Sequence, residues 1–332
     1  MGNRTVSLVT GQWSDMSLEE ICKTAKSLGY DGLELAAWGK TFSIEKAYAD
    51  PTYLKKAKKI VKDNGLVIST LSTHIIGQCV SDLPDPRLNN FAPKQDKDKP
   101  EAIRAWAIET MKKSAFVAHE LGVKVISGFT GSPLWRYFYS YPQTTKEMID
   151  AGFDQVRQDW LPILDEFRKY DLKFALEVHP GEIAFDYYSA KRILETFKDR
   201  PEFGLNFDPS HLLWQGIRPD LFLEDFIDRV YNVHMKDVKI SFDGRNGLLG
   251  SYLDFGSRSR AWNFRSLGHG DVNFEEIIRV LNAHHYQGAL CVEWEDSGMD
   301  RLAGAKEACE FVRKLDFKPS DIAFDDAISN GK

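Results

Sequence analysis

Four side chains able to hold a metal or move a proton stand one apiece near the ends of four separate apolar runs: Glu177 in KFALEVHP, Asp208 in FGLNFDPSH, His234 in VYNVHMKD and Glu293 in ALCVEWED. Three carboxylates and one imidazole form a hard, oxygen-rich set. It suits one divalent ion, Mn²⁺, Mg²⁺ or Co²⁺, with positions left open for water and substrate, better than a thiolate-rich structural zinc. Such an ion polarises a carbonyl and stabilises the enediolate left when the neighbouring carbon loses its proton. Glu177 and Glu293 come from opposite parts of the strand order, which suits a pair exchanging protons on two faces of a substrate.

Further candidates follow from spacing. His179 and Glu295 lie two residues beyond the glutamates, a step that keeps one face of a strand. His179 and Lys236, the latter two residues past His234, are read with the glutamates as catalytic. His211, three residues past Asp208, is read as substrate-binding together with Glu295, His74 in LVISTLSTH, Glu34 in DGLELAA, Trp38, and His269 in the turn SLGHGD. Each has a plain alternative as a loop salt bridge, a helix cap or a strand terminator. The coincidence of four charged groups argues otherwise, because parallel strands fill with Val, Ile and Leu and a charge among them needs partners. Trp13, Trp38, Phe129, Trp135, Trp214, Trp262 and Trp294 are expected around the same mouth, packing on the apolar faces of a sugar ring.

Strand-like and helix-like segments alternate along the chain. VSLVT, DGLELAA, LVISTLSTH, VKVISGFTG, KFALEVHP, FGLNFDPSH, VYNVHMKDVK and ALCVEWED read as eight strands, separated by stretches with apolar residues at three- and four-residue steps. The four ligand candidates are 31, 26 and 59 residues apart; the first two intervals fit a strand, a helix and their loops, and the third contains an insertion. Eight such units favour closure into a (β/α)8 TIM barrel, an α/β fold whose C-terminal strand ends converge on one face. One barrel domain is expected over residues 1–317, with loop insertions at about 77–100 and 239–270 on that face and a C-terminal extension over 318–332. The second insertion carries Arg245, Arg258, Arg260 and Arg265, which could bind a phosphate or pair with Asp243 and Asp254. Gly268 and Gly270 do not continue as GxGxxG, so a dinucleotide site is not supported.

A chain of 332 residues, 43% apolar, can bury a large core, and its net charge of −6 argues against nucleic-acid or anionic-membrane partners. No apolar run is long enough to span a membrane and MGNRTVSLVTGQW lacks a secretory h-region, so the chain reads as soluble and cytoplasmic. Cys22, Cys79, Cys291 and Cys309 lack CxxC spacing and read as reduced, buried thiols. A small-molecule carbohydrate is the expected partner, and aromatics on long loops admit a homo-oligomer.

In LEVHP, NFDPSH, VHMKD, GHGDVNFEEI and VEWED the sequence resembles the xylose isomerase-like TIM-barrel superfamily, in its sugar phosphate isomerase/epimerase branch, and the likeness runs from VSLVT to EFVRKL. The resemblance implies one divalent metal, often manganese, held by Glu177, Asp208, His234 and Glu293, with the two glutamates as acid and base. It implies an isomerase or epimerase of a keto sugar or sugar-derived polyol. A lyase or dehydratase on a 3-keto glycoside or inosose, and a non-catalytic sugar-binding barrel subunit, are the alternatives. Ile240 stands near where ketose epimerases of that branch tend to place a ligand-gripping arginine, and the arginine-bearing loop is longer than theirs. Endonuclease IV, of the same superfamily, uses a richer set of metal ligands and a DNA-binding surface, at odds with the acidic balance here.

Overall fold

Runs of Val, Ile, Leu and Phe between amphipathic stretches need cover on both faces, and a parallel sheet ringed by helices provides it. The computed structural model describes residues 4–320 together with Ile322 and Ile328. Its elements begin β1 (Val6–Val9), α1 (Leu18–Ser27), β2 (Gly32–Ala36), α2 (Ile44–Ala49), α3 (Pro51–Asp63), β3 (Val67–Ser72), α4 (His74–Ser81), α5 (Pro100–Leu121) and β4 (Val125–Gly128). They continue with α6 (Lys146–Lys169), β5 (Lys173–Glu177), α7 (Tyr187–Thr196), β6 (Phe203–Phe207), α8 (Pro209–Leu213), α9 (Pro219–Phe226) and β7 (Val230–Met235). The remainder is β8 (Asp237–Ile240), β9 (Trp262–Arg265), α10 (Phe274–Ala283), β10 (Leu290–Val292) and α11 (Arg301–Leu315).

Eight strands close a barrel in the order β1-β10-β7-β6-β5-β4-β3-β2. Every pairing in it is parallel, so the chain is a closed (β/α)8 barrel. Each of the eight expected runs supplies one barrel strand. The seam between β1 and β10 is buttressed from outside: Arg4 donates to Asp316, to the Tyr286 carbonyl and to Asn282.

Alternation along the strands separates two interiors. Between sheet and helices the packing is aromatic around β5 and β6, where Phe174 lies 4.3 Å from Trp160 and Phe203 stacks on Phe197 at 4.2 Å. Inside the barrel, below the mouth, the residues are polar. Asn232 accepts from Thr70 at 3.0 Å and donates to Glu34 at 2.8 Å and to Asn206 at 3.1 Å.

Three local features depart from the sequence reading. VYNVHMKDVK breaks at Lys236, after which β8 leaves the barrel and pairs antiparallel with β9. Asp237 pins that break, its carboxylate accepting from the backbone N–H groups of Gly268, Gly270 and Val272. The hairpin carries its own small core of Val238, Ala261, Trp262 and Phe264. LVISTLSTH ends as a strand at Ser72, and the residues expected to open a loop at 77 continue helix α4 instead. Gly77 permits this: a Cβ there would lie 2.0 Å from the Phe129 carbonyl oxygen, so only glycine lets α4 rest on the backbone after β4. Most of the expected C-terminal extension lies outside the described residues. Among the described residues, no helix is long and apolar enough to cross a membrane, and all four cysteines are free and buried.

Candidate metal centre

Glu177 ends β5, Asp208 follows β6, His234 lies one residue before the end of β7 and Glu293 follows β10, so four strand ends deliver the quartet to one face. Their ligand atoms all lie within 4.8 Å of one another. Atoms bound about 2.1 Å from one ion sit roughly 3–3.5 Å apart. His234 Nδ1 is 3.0 Å from Glu293 Oε2 and 3.4 Å from Glu177 Oε2.

Asp208 tests whether an ion fits. It caps α8, Oδ1 accepting from the Ser210 N–H at 2.8 Å and its hydroxyl at 2.7 Å. Oδ2 is buried and accepts no hydrogen bond among the described residues. A charged acceptor left so is costly, and a cation satisfies it. His234 gives the matching sign: Nε2 lies 3.1 Å from both oxygens of Glu34. With an ion on Nδ1, the Nε2–H donates to that carboxylate, the usual support of a metal-bound imidazole. The donor set fits a divalent metal.

Glu34, expected to touch substrate, therefore lies elsewhere. It is fully buried beneath His234 and also accepts from Ser127 at 2.6 Å. The inward face of β2 carries it into the barrel interior, too deep for a ligand at the mouth. His269 is also misplaced by the sequence reading: the Gly268 turn, at φ +89°, points it outward to Glu307 on α11, 3.0 Å away and half exposed. The remaining candidates converge. Trp38, His74, Glu177, His179, Lys236, Glu293 and Glu295 line one cavity of about 280 Å³ with Gln12 and Phe129. His211 sits behind it, its ring centroid 4.1 Å from that of His179.

Each glutamate has its own clamp. Glu177 Oε2 lies 2.8 Å from His74 Nε2 and accepts from Asn206 at 3.2 Å, while Oε1 faces only His211 Nε2, at 3.5 Å, among the described residues. Gln12 donates to both Glu293 and Glu295 at 3.0 Å, and Lys236 Nζ stands 3.3 and 3.4 Å from the same two carboxylates. Phe264 of the hairpin covers Lys236 at 4.3 Å. Gln12, Asn206 and Asn232 carry no charge, so sequence reading passes over them, Asn206 even within NFDPSH; only their place on inward strand faces or beside strand ends gives a signal.

Opposed effects set the protonation. Burial raises the Glu177 carboxyl, but His234, His211 and His74 together hold it well below the usual range. Burial likewise raises Glu293, and Lys236 and His234 reverse it. Burial wins at Asp208, whose carboxyl is raised despite His211 and Lys236. Burial lowers the Lys236 ammonium, but Glu293, Glu295 and Asp208 bring it well above its ordinary value. His179, half-buried beside His211, is pushed down to about 3 by desolvation and by that neighbour, and stays neutral.

Other expected features settle away from the mouth. Trp13 and Trp294 are core residues, Trp214 stacks on Trp262 at 4.4 Å beneath the hairpin, and Trp135 stacks on Phe138 at 4.8 Å in a separate pocket. Arg260 lies between Phe255 and Trp262, Arg265 faces Asp296 and Arg245 faces Asp243.

The chain is a closed parallel barrel with a carboxylate–imidazole cluster at its C-terminal strand ends, the face on which enzymes of this architecture carry their active sites. The family model described as xylose isomerase-like TIM barrel matches residues 22–315, and the chain belongs to that family. YfiH of Bacillus subtilis, an uncharacterized protein, is 25% identical over 334 residues, spanning 93% of this chain and 98% of YfiH. The inosose dehydratase of Clostridium perfringens is 38% identical over 163 residues, spanning 46% of this chain and 53% of that enzyme. Among solved structures, the probable 3-DHS dehydratase AsbF of Bacillus anthracis is similar with a TM-score of 0.65 at 18% identity, covering 93% of this chain and 98% of AsbF. The 3-keto-D-glucoside 4-epimerase YcjR of E. coli gives 0.64 at 16% identity, covering 94% and 99%. These structural likenesses speak for the fold alone.

Proposed function

We propose that this chain is a divalent-metal-dependent enzyme that removes a proton beside the carbonyl of a keto sugar or sugar-derived polyol and returns it, as an isomerase or epimerase. The observation that carries the reading is the pair of separately clamped carboxylates, Glu177 and Glu293, on one small cavity. Glu177, Asp208, His234 and Glu293 would hold the ion, which supplies a Lewis acid that polarises the substrate carbonyl; Mn²⁺ is our choice for this mostly oxygen set. Glu177 takes the proton at Oε1, its other oxygen being fixed by His74 and Asn206. Lys236 holds the charge that develops on the carbonyl oxygen. Glu293, ionised at rest, takes up a proton from solvent and delivers it on the other face, Gln12 keeping its orientation, while Glu177 releases its own to solvent. Neutral His179 accepts from a substrate hydroxyl, and Trp38 and Phe129 wall the sugar.

A second reading shares the first step. Lys236, a buried ammonium beside Glu295, is placed to protonate a departing hydroxyl, and the partial likeness to inosose dehydratases points the same way. NMR of the Mg²⁺-loaded protein in D₂O with ketoses, 3-keto sugars and inososes separates the two. Deuterium uptake beside the carbonyl with mass otherwise conserved is expected, and loss of water would instead favour the dehydratase. No uptake and no new product across the panel, with metal confirmed bound, would sink both.

A further inference from the structure

We infer that the protein carries a second binding site, on the segments that follow β4 and β5 and apart from the reacting cavity, for an uncharged aromatic ring bearing an oxygen that accepts a hydrogen bond.

Between β4 and α6 the chain reads WRYFYSY, with Trp135, Tyr137, Phe138, Tyr139 and Tyr141 in seven residues. The four after Trp135 are exposed, and Tyr188 at the start of α7 is exposed with them. A folded chain rarely leaves so many large apolar side chains in water at one place without a use for them. They gather around a pocket of about 350 Å³, to which α6 contributes Ile149 and Phe153 and α7 contributes Tyr188 and Arg192. Trp135 stacks on Phe138 and meets Phe185 edge-on at 5.3 Å. Ser132 Oγ fixes the turn that carries them, accepting from the N–H groups of Leu134 and Trp135 at 3.2 and 3.0 Å. That volume and those walls suit one small molecule with a flat ring. Phe129 and His179, a few residues earlier on the same two segments, line the reacting cavity, yet the two cavities share no lining residue.

Charge decides the class of ring. Arg192 pairs with Asp150 and lies over the Phe153 ring at 4.3 Å, and Asp186 accepts from the Ser189 N–H at 2.8 Å as the cap of α7. An anionic ligand would meet no free cation on this lining, and a cationic one no free anion. Glu182, which also lines the pocket, is raised by burial to about 8 and is neutral at pH 7. Its Oε2 accepts from the backbone N–H groups of Thr130 and Gly131, so the proton belongs on Oε1. Oε1 is buried and has no partner among the described residues. A buried O–H left so is costly, and an oxygen on the ring's substituent relieves it.

Acetophenone is the probe. Ethylbenzene, of the same shape without the acceptor, benzoate, which is charged, and cyclohexyl methyl ketone, which lacks the aromatic ring, are the comparisons. Full-length protein isotope-labelled at its tryptophan indole nitrogens is titrated by NMR, the Trp135 signal being the one absent from Trp135→Phe. Acetophenone should move that signal saturably with a Kd on the order of 1 mM, as befits so small a ligand, and each comparison should bind about tenfold more weakly. Ile149→Phe, which narrows the pocket from α6, should abolish the movement, with circular dichroism confirming its fold. The wild-type series needs no variant and decides the ligand class even if Ile149→Phe does not fold. An unmoved Trp135 signal overturns the site, as does undiminished binding in a folded Ile149→Phe. Equal affinity for ethylbenzene, benzoate or the cyclohexyl ketone overturns the ligand class. Sedimentation of the same samples covers one more occupant: self-association of the wild type that Ile149→Phe abolishes would put a second copy's side chain in the pocket and overturn the small-molecule site.

Discussion

Glu182, in the turn after β5, takes no part in the proposed chemistry, yet its surroundings fix its protonation. Oε2 accepts from the backbone N–H groups of Thr130 and Gly131 at 2.8 and 2.9 Å, Oε1 has no partner among the described residues, and the side chain is 1% exposed. Burial, with Asp82 nearby, pushes its carboxyl from 4.5 up to about 8. The folded state thus holds this proton more tightly than the unfolded chain. Its contribution to stability is fully present below about pH 4.5 and is lost as pH rises through about 8. Glu182→Gln keeps the accepting oxygen and removes the titration. Urea unfolding at pH 5 and at pH 8.5 should show the wild type losing up to roughly 4 kcal/mol more than the variant over that interval. Parallel losses would refute the shifted proton. Sequence alone gave no hint of Glu182, because a glutamate in GEIAF looks like any surface loop acid. The quartet was legible for the opposite reason: each member interrupts or closes an apolar run, where a charge needs an explanation. The direction a side chain takes past a strand end was not legible, which is why Trp13 and Trp294 fall in the core and His269 faces solvent.

At the scale of elements, all eight barrel strands can be read from the sequence, because a strand covered on both faces is an uninterrupted apolar run. What could not be read is contact between neighbouring elements. Gly77 in α4 and Gly304 in α11 sit against Phe129 and Trp294, both on segments that follow barrel strands. Alanine in an exposed helix interior stabilises by up to about 1 kcal/mol over glycine. At Gly77 the sign should reverse, because the added carbon meets a backbone carbonyl rather than a movable side chain. Gly77→Ala should cost about 1–3 kcal/mol in chemical denaturation, the range for overpacking. A stabilised variant would show that α4 and the segment after β4 do not approach this closely. The break at Lys236 was hidden for a related reason. VYNVHMKDVK is apolar enough to be one strand, and the three backbone groups that hold Asp237 come from a turn some thirty residues downstream.

At the scale of the whole molecule, the metal-free barrel gathers like charges that repel one another, and binding should recover that cost. An ion that binds only the folded chain stabilises it by about 2.7 kcal/mol at a hundredfold excess over its Kd. For a chain of this size that is a rise in melting temperature of roughly 4 °C. Calorimetry of chelator-treated protein with and without saturating Mn²⁺ measures it directly. An unchanged transition would count against the quartet as a metal site.

The clamp from Gln12 to Glu293 has a temporal meaning as well as a spatial one. Gln12 follows the first strand to be synthesised and Glu293 the last of the barrel, and the two strands are neighbours only once the ring is shut. A nascent chain can expose Glu177, Asp208 and His234 well before their fourth companion leaves the ribosome. The complete centre is therefore a late product of biosynthesis, assembled in the same event that seals the barrel.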